Sequence, residues 1–121
     1  DFAQGYKEAV VKGTERDTVV TAGTFGPIRV IRNKYAETLQ TLLDSVTGTI
    51  QEKFDNPEVV EAKTNVSWAE SYKHGKTDNA PVLTGEVQGL VDDLPTVKEL
   101  IDRIMKEAEE IIRKKLPSYL A

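Results

Sequence analysis

"TVKELIDRIMKEAEEIIRKK", Thr96 to Lys115, is the stretch on which the reading of the fold turns. Its residues Val97, Leu100, Ile101, Ile104, Met105, Ala108, Ile111 and Ile112 recur at three- and four-residue spacings, which places them on one broad apolar face of a helix. Thr96 and Glu99 stand at capping-box spacing and mark the start. A helix of about 20 residues, roughly 30 Å long, is predicted. It ends among Lys114, Lys115 and Pro117, where cations suit the negative end of the helix dipole. A face this wide needs a substantial partner surface.

Upstream of it, "LTGEVQGLVDDLPTV" (Leu83 to Val97) carries Gly85 and Gly89 into the helix, and no period holds from Lys76 to Leu94. "GKTDNAP" within that connection is turn chemistry, and a connection of this length is more often functional or mobile than a four-residue one. Further back, "DNPEVVEA" offers Asp55 or Asn56 as cap before Pro57, and Val59, Ala62, Val66 and Ala69 or Trp68 continue a weaker helical stripe toward His74, with Gly75 as its stop. Asn33 caps a stronger helix, whose apolar positions are Tyr35, Leu39, Leu42, Leu43, Val46, Ile50 and Phe54. Thr47, Gly48 and Thr49 are poor helix formers, so a kink or split is expected there. Before it, "DTVVTAG" and "IRVIRN", joined through Gly23 to Pro27, read as an antiparallel hairpin spanning about residues 17–33. A lone hairpin is marginal in water, so one of its faces must pack on helices or on another domain. Phe2, Tyr6, Ala9 and Val10 share a face of a short first helix that Gly13 can end.

The fold class is therefore α+β and helix-rich, with a β-hairpin packed on helices and a long C-terminal helix. At 121 residues the chain suits one modest core. The apolar fraction of 39% and charged fraction of 30% describe a globular protein. A net charge of -4 with acids and bases interspersed leaves no basic face for nucleic acid. The absence of cysteine excludes disulfide scaffolds, thiol nucleophiles and thiolate metal sites, and suits a reducing cytosol. No apolar run approaches a membrane span, and no start resembles a signal peptide, so a cytoplasmic location without membrane attachment is expected. The first residue is Asp1 and not methionine, as in a processed product, an excised domain or one part of a longer chain.

Few residues suggest chemistry on their own. His74 is the single histidine, reads as exposed at a helix end, and leaves no metal site beyond carboxylates. No G-x-S-x-G elbow, P-loop or G-x-G-x-x-G after a strand occurs. The acids of "GTERD" (Gly13 to Asp17) and the pair Asp92 and Asp93 could serve proton transfer, but read first as a solvated turn and the approach to a capped helix. Arg29 and Arg32 beside "TAGTFGP" are either anion ligands or solvated strand residues, and Trp68 with Tyr72 reads as core in preference to a stacking platform.

Taken in order, "ERDTVVT" (Glu15 to Thr21), "GPIRVIRN" (Gly26 to Asn33), "DNAPVLTGEVQGLVDDLP" (Asp78 to Pro95) and the final helix resemble the C-terminal region of nitronate monooxygenases, once called 2-nitropropane dioxygenases, and of the related flavin-dependent enoyl-ACP reductases. In that family this region follows the last flavin-phosphate motif of an FMN-binding TIM barrel. A small substrate-side domain is inserted there before a final helix closes back on the barrel. The resemblance implies a substrate-side α/β domain over residues 1–94 and a barrel-packing helix over residues 95–121. The barrel strands, the phosphate loops and the family's catalytic histidine would lie upstream of Asp1. His74 does not match that histidine's context and inherits no role.

The stretch resembling Gly85 to Leu90 usually reads Gly-Gln-x-Ala-Gly-Leu and lies near the flavin, where missing side chains let backbone come close. The resemblance thus implies Gly85, Glu86, Val87 and Gly89 as cofactor-bordering residues. Glu86 stands where Gln is usual and Gln88 where a small residue is usual. An ionised Glu86 beside a flavin would be repelled unless paired or turned outward. The stretch resembling Thr21 to Arg29 usually carries an extra residue and a Gly-Arg pair, in place of which this chain has Ala22, Gly23, Thr24 and Phe25. Thr24, Phe25 and Arg29 are the candidates for the substrate side. No residue of this chain is assigned a catalytic or metal-binding role.

Two functions are open on the sequence. One is the substrate-side portion of an FMN-dependent oxidoreductase that acts on a nitronate or, with NAD(P)H as co-substrate, on an enoyl thioester. Its partner would be the barrel portion of the same enzyme, a homodimer would be compatible with it, and the isolated 121 residues would show no turnover. The other is a non-catalytic helical interaction module that docks a partner through Arg29, Arg32 and exposed aromatic surface.

Overall fold

The computed structural model describes residues 1–119. Helix α1 (Gln4–Lys12) runs to Gly13, the stop expected from the sequence. Its Tyr6 hydroxyl donates to the Leu83 carbonyl at 2.9 Å, and the Ala3 N–H ahead of it donates to the Tyr72 carbonyl at 2.7 Å. The Phe2 ring rests against Tyr6 and Tyr72, so α1 is tied both to the later helices and to the chain entering the Gly85 segment.

Strands β1 (Thr18–Gly23) and β2 (Gly26–Ile31) form the hairpin. Gly23 pairs with Gly26, so the turn is only Thr24 and Phe25, shorter than the Gly23 to Pro27 connection expected; Pro27 already lies in β2 opposite Ala22. Gly26 has a φ of 140°, which a side chain would resist, and this lets two residues reverse the chain. The hairpin is not left two-stranded in effect. Leu83 bridges Val30, the Ile31 N–H donates to the Val82 carbonyl at 2.9 Å, and the Thr84 N–H donates to the Arg29 carbonyl at 3.3 Å. This third rung was not visible in residues 82–84, which carry no alternation long enough to read.

Helix α2 (Lys34–Ser45) begins where Asn33 predicts, with the Asn33 side chain accepting from the Ala36 N–H. The weak residues Thr47 to Thr49 do split the apolar stripe: α3 (Ile50–Phe54) is a separate helix under a Thr49–Glu52 capping box. Asn56 then caps α4 (Pro57–Thr64), with Pro57 in its first turn. The weaker stripe expected to run on toward His74 is broken at Asn65 to Ser67, and α5 (Trp68–Tyr72) is a helix of its own that ends ahead of Gly75, where φ is +69°. Two lysines donate into carbonyls at helix ends, Lys53 to Leu43 in the last turn of α2 at 2.8 Å and Lys63 to Phe54 at the end of α3 at 3.0 Å.

The core lies between the hairpin and these helices. Ala22, Tyr35, Leu39, Leu43, Phe54 and Val59 form it, with Leu42, Ala62 and Val66 packed around. Burying a leucine such as Leu39 stabilises by about 1.5–3 kcal/mol. The hairpin has thus found the helical cover that the sequence demanded. Trp68 and Tyr72 are half-buried and His74 is exposed.

After a 3₁₀ turn (Glu86–Leu90), helix α6 (Val97–Glu110) starts under the Thr96–Glu99 capping box. It continues through a π-helical stretch (Ile111–Lys115) into a last turn (Leu116–Ser118), so Pro117 does not stop it at once. The π-helical turn carries the path past a proline that has no N–H to give to an α-helical ladder. No residue of α6 is buried. Among the described residues no helix is long and apolar enough to cross a membrane.

Candidate functional site

The Glu86–Leu90 turn is the place where the residues singled out by resemblance gather. Arg29 on β2 reaches it directly: Arg29 Nη2 lies 2.6 Å from Glu86 Oε1, while Arg29 Nη1 donates to Thr18 Oγ1 at 3.0 Å. Thr18 sits diagonally across the hairpin from Arg29, the partner of Val20, and therefore on the same face. The guanidinium is held at two points and aimed at the turn. A cofactor-side candidate and a substrate-side candidate, 57 positions apart by number, form one ion pair. The Glu86 carboxylate is thus paired, one of the two conditions that the resemblance sets for it.

The two glycines of the turn differ in use. A side chain at Gly85 would meet only Val87, no closer than 3.7 Å, so space is open beside the backbone there. At Gly89 a Cβ would lie 2.8 Å from the Glu15 backbone nitrogen, so the missing side chain lets the turn close against the loop after α1. Val87 and Leu90 point outward, 64% and 82% exposed. Gln88 does the opposite: it is 1% exposed, and neither its Nε2 nor its Oε1 has a hydrogen-bond partner among the described residues.

The other candidates do not join this cluster. Thr24 and Phe25 occupy the exposed hairpin tip, and Arg29 lies three residues beyond Gly26 along β2, roughly 10 Å at strand rise. Arg32, three positions beyond Arg29 on an extended chain, is exposed and belongs to the opposite face, so the two arginines are not brought onto one anion. Two of the acids read as candidates for proton transfer are engaged in structure. Asp17 accepts from the Thr14 N–H and hydroxyl at 2.7 and 2.8 Å, which holds its carboxyl below the ordinary range, and Asp93 pairs with Arg103 at 2.8 Å. Tyr6, which anchors Leu83 two residues before Gly85, has its hydroxyl pKa pushed up by burial and stays a neutral donor.

Sequence reasoning did not find the contact of Thr18 with Arg29 or the burial of Gln88. Thr18 sits in a run of β-branched residues that gives no hint of a side-chain partner. For Gln88 the only signal was an amide standing where a small residue is usual.

With this geometry in view, FabK from Thermotoga maritima is 32% identical to this chain over 98% of its length, with a TM-score of 0.72. This chain is built like part of FabK. The same FabK carrying a methionine-to-alanine substitution is 29% identical over 98% of the chain, with a TM-score of 0.68. The matches span 35% and 32% of those FabK chains, so this chain accounts for about a third of FabK's length. No protein-family model matches the chain. The resemblance to the flavin-dependent enoyl-ACP reductases, carried in the sequence by four segments, is therefore also a likeness to FabK in structure, and the helix-rich α+β class with one hairpin stands.

Proposed function

We propose that this chain is the substrate-side portion of an FMN-dependent oxidoreductase of the nitronate monooxygenase or enoyl-ACP reductase type. The observation that carries this reading is the FabK match, which takes in 98% of the chain and only 35% of FabK. A portion cut from a longer enzyme should leave apolar surface uncovered where the remainder packs, and α6 does so. Residues 1–94 are then the substrate-side unit and residues 95–121 the helix that packs on the FMN-binding barrel portion of the same enzyme; Leu120 and Ala121 lie outside the described residues.

The residues at the turn fit a flavin edge. Open space at Gly85 permits close backbone approach, Val87 and Leu90 offer apolar contact, and Arg29 pairs with the Glu86 carboxylate. FMN, when bound, would supply the redox chemistry, toward a nitronate or, with NAD(P)H as co-substrate, toward an enoyl thioester. This chain's own part is to border the cofactor and to wall the substrate entrance with the hairpin that carries Thr24, Phe25 and Arg29. We assign no proton-transferring role to any residue of this chain.

A non-catalytic docking module is the second reading, and Phe25 favours it: the ring stands wholly in solvent at the hairpin tip, at 103% relative exposure. Arg29 speaks against it, since the guanidinium that would dock a partner is already engaged. The full-length protein that contains this chain is expected to purify yellow and to release FMN on denaturation. A colourless full-length protein that takes up no added FMN would sink the oxidoreductase reading and leave the module.

A further inference from the structure

Gly13 has φ of -79° and ψ of 151°, extended backbone that any residue adopts. Conformation is thus no reason for glycine at this position. Space is the reason: a Cβ at Gly13 would lie 1.4 Å from Gln88 Nε2 and 2.6 Å from Gln88 Cδ. The Gln88 side chain fills the volume that a side chain at Gly13 would occupy, and it does so at 1% exposure and with no hydrogen bond to its amide among the described residues. A buried amide without partners is costly, and native proteins rarely tolerate one, so shape alone holds this one in place. The next residue repeats the theme, because Gly89 closes against the backbone of Glu15. Residues 13–15 are themselves fixed. Helix α1 is pinned through Tyr6 to Leu83, and Thr14 is tied to Asp17 by two hydrogen bonds.

We propose that Gly13 is a positioning residue: the gap at its missing side chain seats Gln88 and thereby sets where the Glu86–Leu90 turn presents Gly85 and Val87. The turn is then located at two ends, by the Arg29 ion pair at Glu86 and by the seat at Gln88. The two fastenings differ in kind. Charge steers the first, and shape decides the second, so one added methyl at Gly13 meets the end of the Gln88 side chain and displaces it from the seat even though the ion pair is untouched. The consequence for flavin rests on the proposed function; the seat does not.

The test uses the full-length protein and three variants, Gly13→Ala, Gln88→Ala and the two combined. Hydrogen exchange of the amides at residues 86–90 reads the seat, and the absorbance spectrum and retention of bound FMN read its consequence. Gly13→Ala is expected to speed exchange at least tenfold in this turn and to lower FMN retention several-fold with a shifted spectrum. Adding Gln88→Ala removes the clash, and the double variant is expected to return to within about twofold of the Gln88→Ala protein in both readouts, a rescue that a general loss of stability would not give. Unchanged exchange in Gly13→Ala, or no rescue in the double variant, overturns the seat. Faster exchange with rescue in a parent protein that binds no FMN supports the seat and overturns the cofactor reading alone.

Discussion

Helices α2 and α6 are written in the same language and end in opposite situations. Each is capped by a side chain that its sequence announces, Asn33 in one and Thr96 in the other, and each carries one apolar face. In α2 that face vanishes into the core, with Tyr35, Ala36, Leu39 and Leu43 buried. In α6 it faces solvent: Leu100 is 45% exposed and Ile104 51%. Periodicity dictates that a face must be covered but is silent on what covers it. For α2 the cover is the hairpin and α4 of this chain. For α6 it is absent from residues 1–119, which is what a chain matching about a third of FabK should show.

The largest expected effect is the sharpest way to break this contrast. Leu39→Ala is expected to cost about 2–5 kcal/mol wherever the chain is studied, because it opens a cavity in a sealed core. Ile104→Ala in the 121-residue chain should stay within about 0.5 kcal/mol, as surface changes do. In the full-length protein the same Ile104→Ala is expected to rise to about 2–4 kcal/mol as its face becomes core. Denaturant melts of the four proteins check this, and equal costs for Ile104→Ala in both lengths would mean that α6 is not a docking face.

A smaller effect separates the two caps. Asn33 does more than start α2, since its Nδ2 also donates to the Thr77 and Ala80 carbonyls and so holds the 77–80 loop against the core. Asn33→Ala should cost about 1–3 kcal/mol, the loss of a cap together with two carbonyls left without their donor. Thr96→Ala, with no such second task, should cost about 1 kcal/mol. Thermal unfolding of the full-length protein distinguishes them, and a larger shift for Thr96 would show that α6 carries more of the fold than its exposure suggests.

The same distinction explains what the sequence made legible. Local signals were read well: the Asn33, Asn56 and Thr96 caps and the helix ends near Gly13 and Gly75 all act within a few residues. Signals that depend on distant chain were not. Nothing near Leu83 announces its bridge to Val30, and the break at Asn65 to Ser67 is invisible to a stripe count because Val66 still packs on the core. At the candidate site, the turn was found by resemblance and its glycines were named together. Their different surroundings, open space at Gly85 and closure on Glu15 at Gly89, depend on a loop some seventy positions earlier that the local sequence does not reveal. Whether Glu86 has a charge partner could be asked from the sequence, and only the position of Arg29 across the turn answered it.

That answer predicts a modest outcome at the turn. Glu86→Gln keeps a hydrogen-bonding oxygen for Arg29 while removing the negative charge, and an exposed ion pair contributes only about 0–1 kcal/mol. Stability should therefore hardly move. FMN retention in the full-length protein is expected to be preserved or improved, measured as flavin bound per protein after gel filtration. A large loss of flavin would mean that the Glu86 carboxylate itself holds the cofactor, and that the turn does not border the flavin through open backbone at Gly85.

The smallest effect returns to the two helices through pH. Glu52 and Glu99 close equivalent capping boxes, each accepting the N–H and hydroxyl of its threonine at 2.7 and 2.8 Å, and these bonds lower both carboxyl pKa values from the ordinary 4.5. A lowered folded pKa means the box's contribution is complete above that ordinary value and is lost as pH falls through the folded one. Protonation thus weakens both boxes in the same acidic window. The consequences should differ because the support behind them differs. The turn that Glu52 opens leads to Phe54, which is buried against the core, whereas Glu99 opens a helix with no buried residue. On acidification of the 121-residue chain, amide exchange should rise first in residues 97–100 and only at lower pH in residues 50–53. Simultaneous fraying would mean that packing at Phe54 does not hold α3 once its cap is gone, and the contrast between covered and uncovered helices would lose its energetic basis.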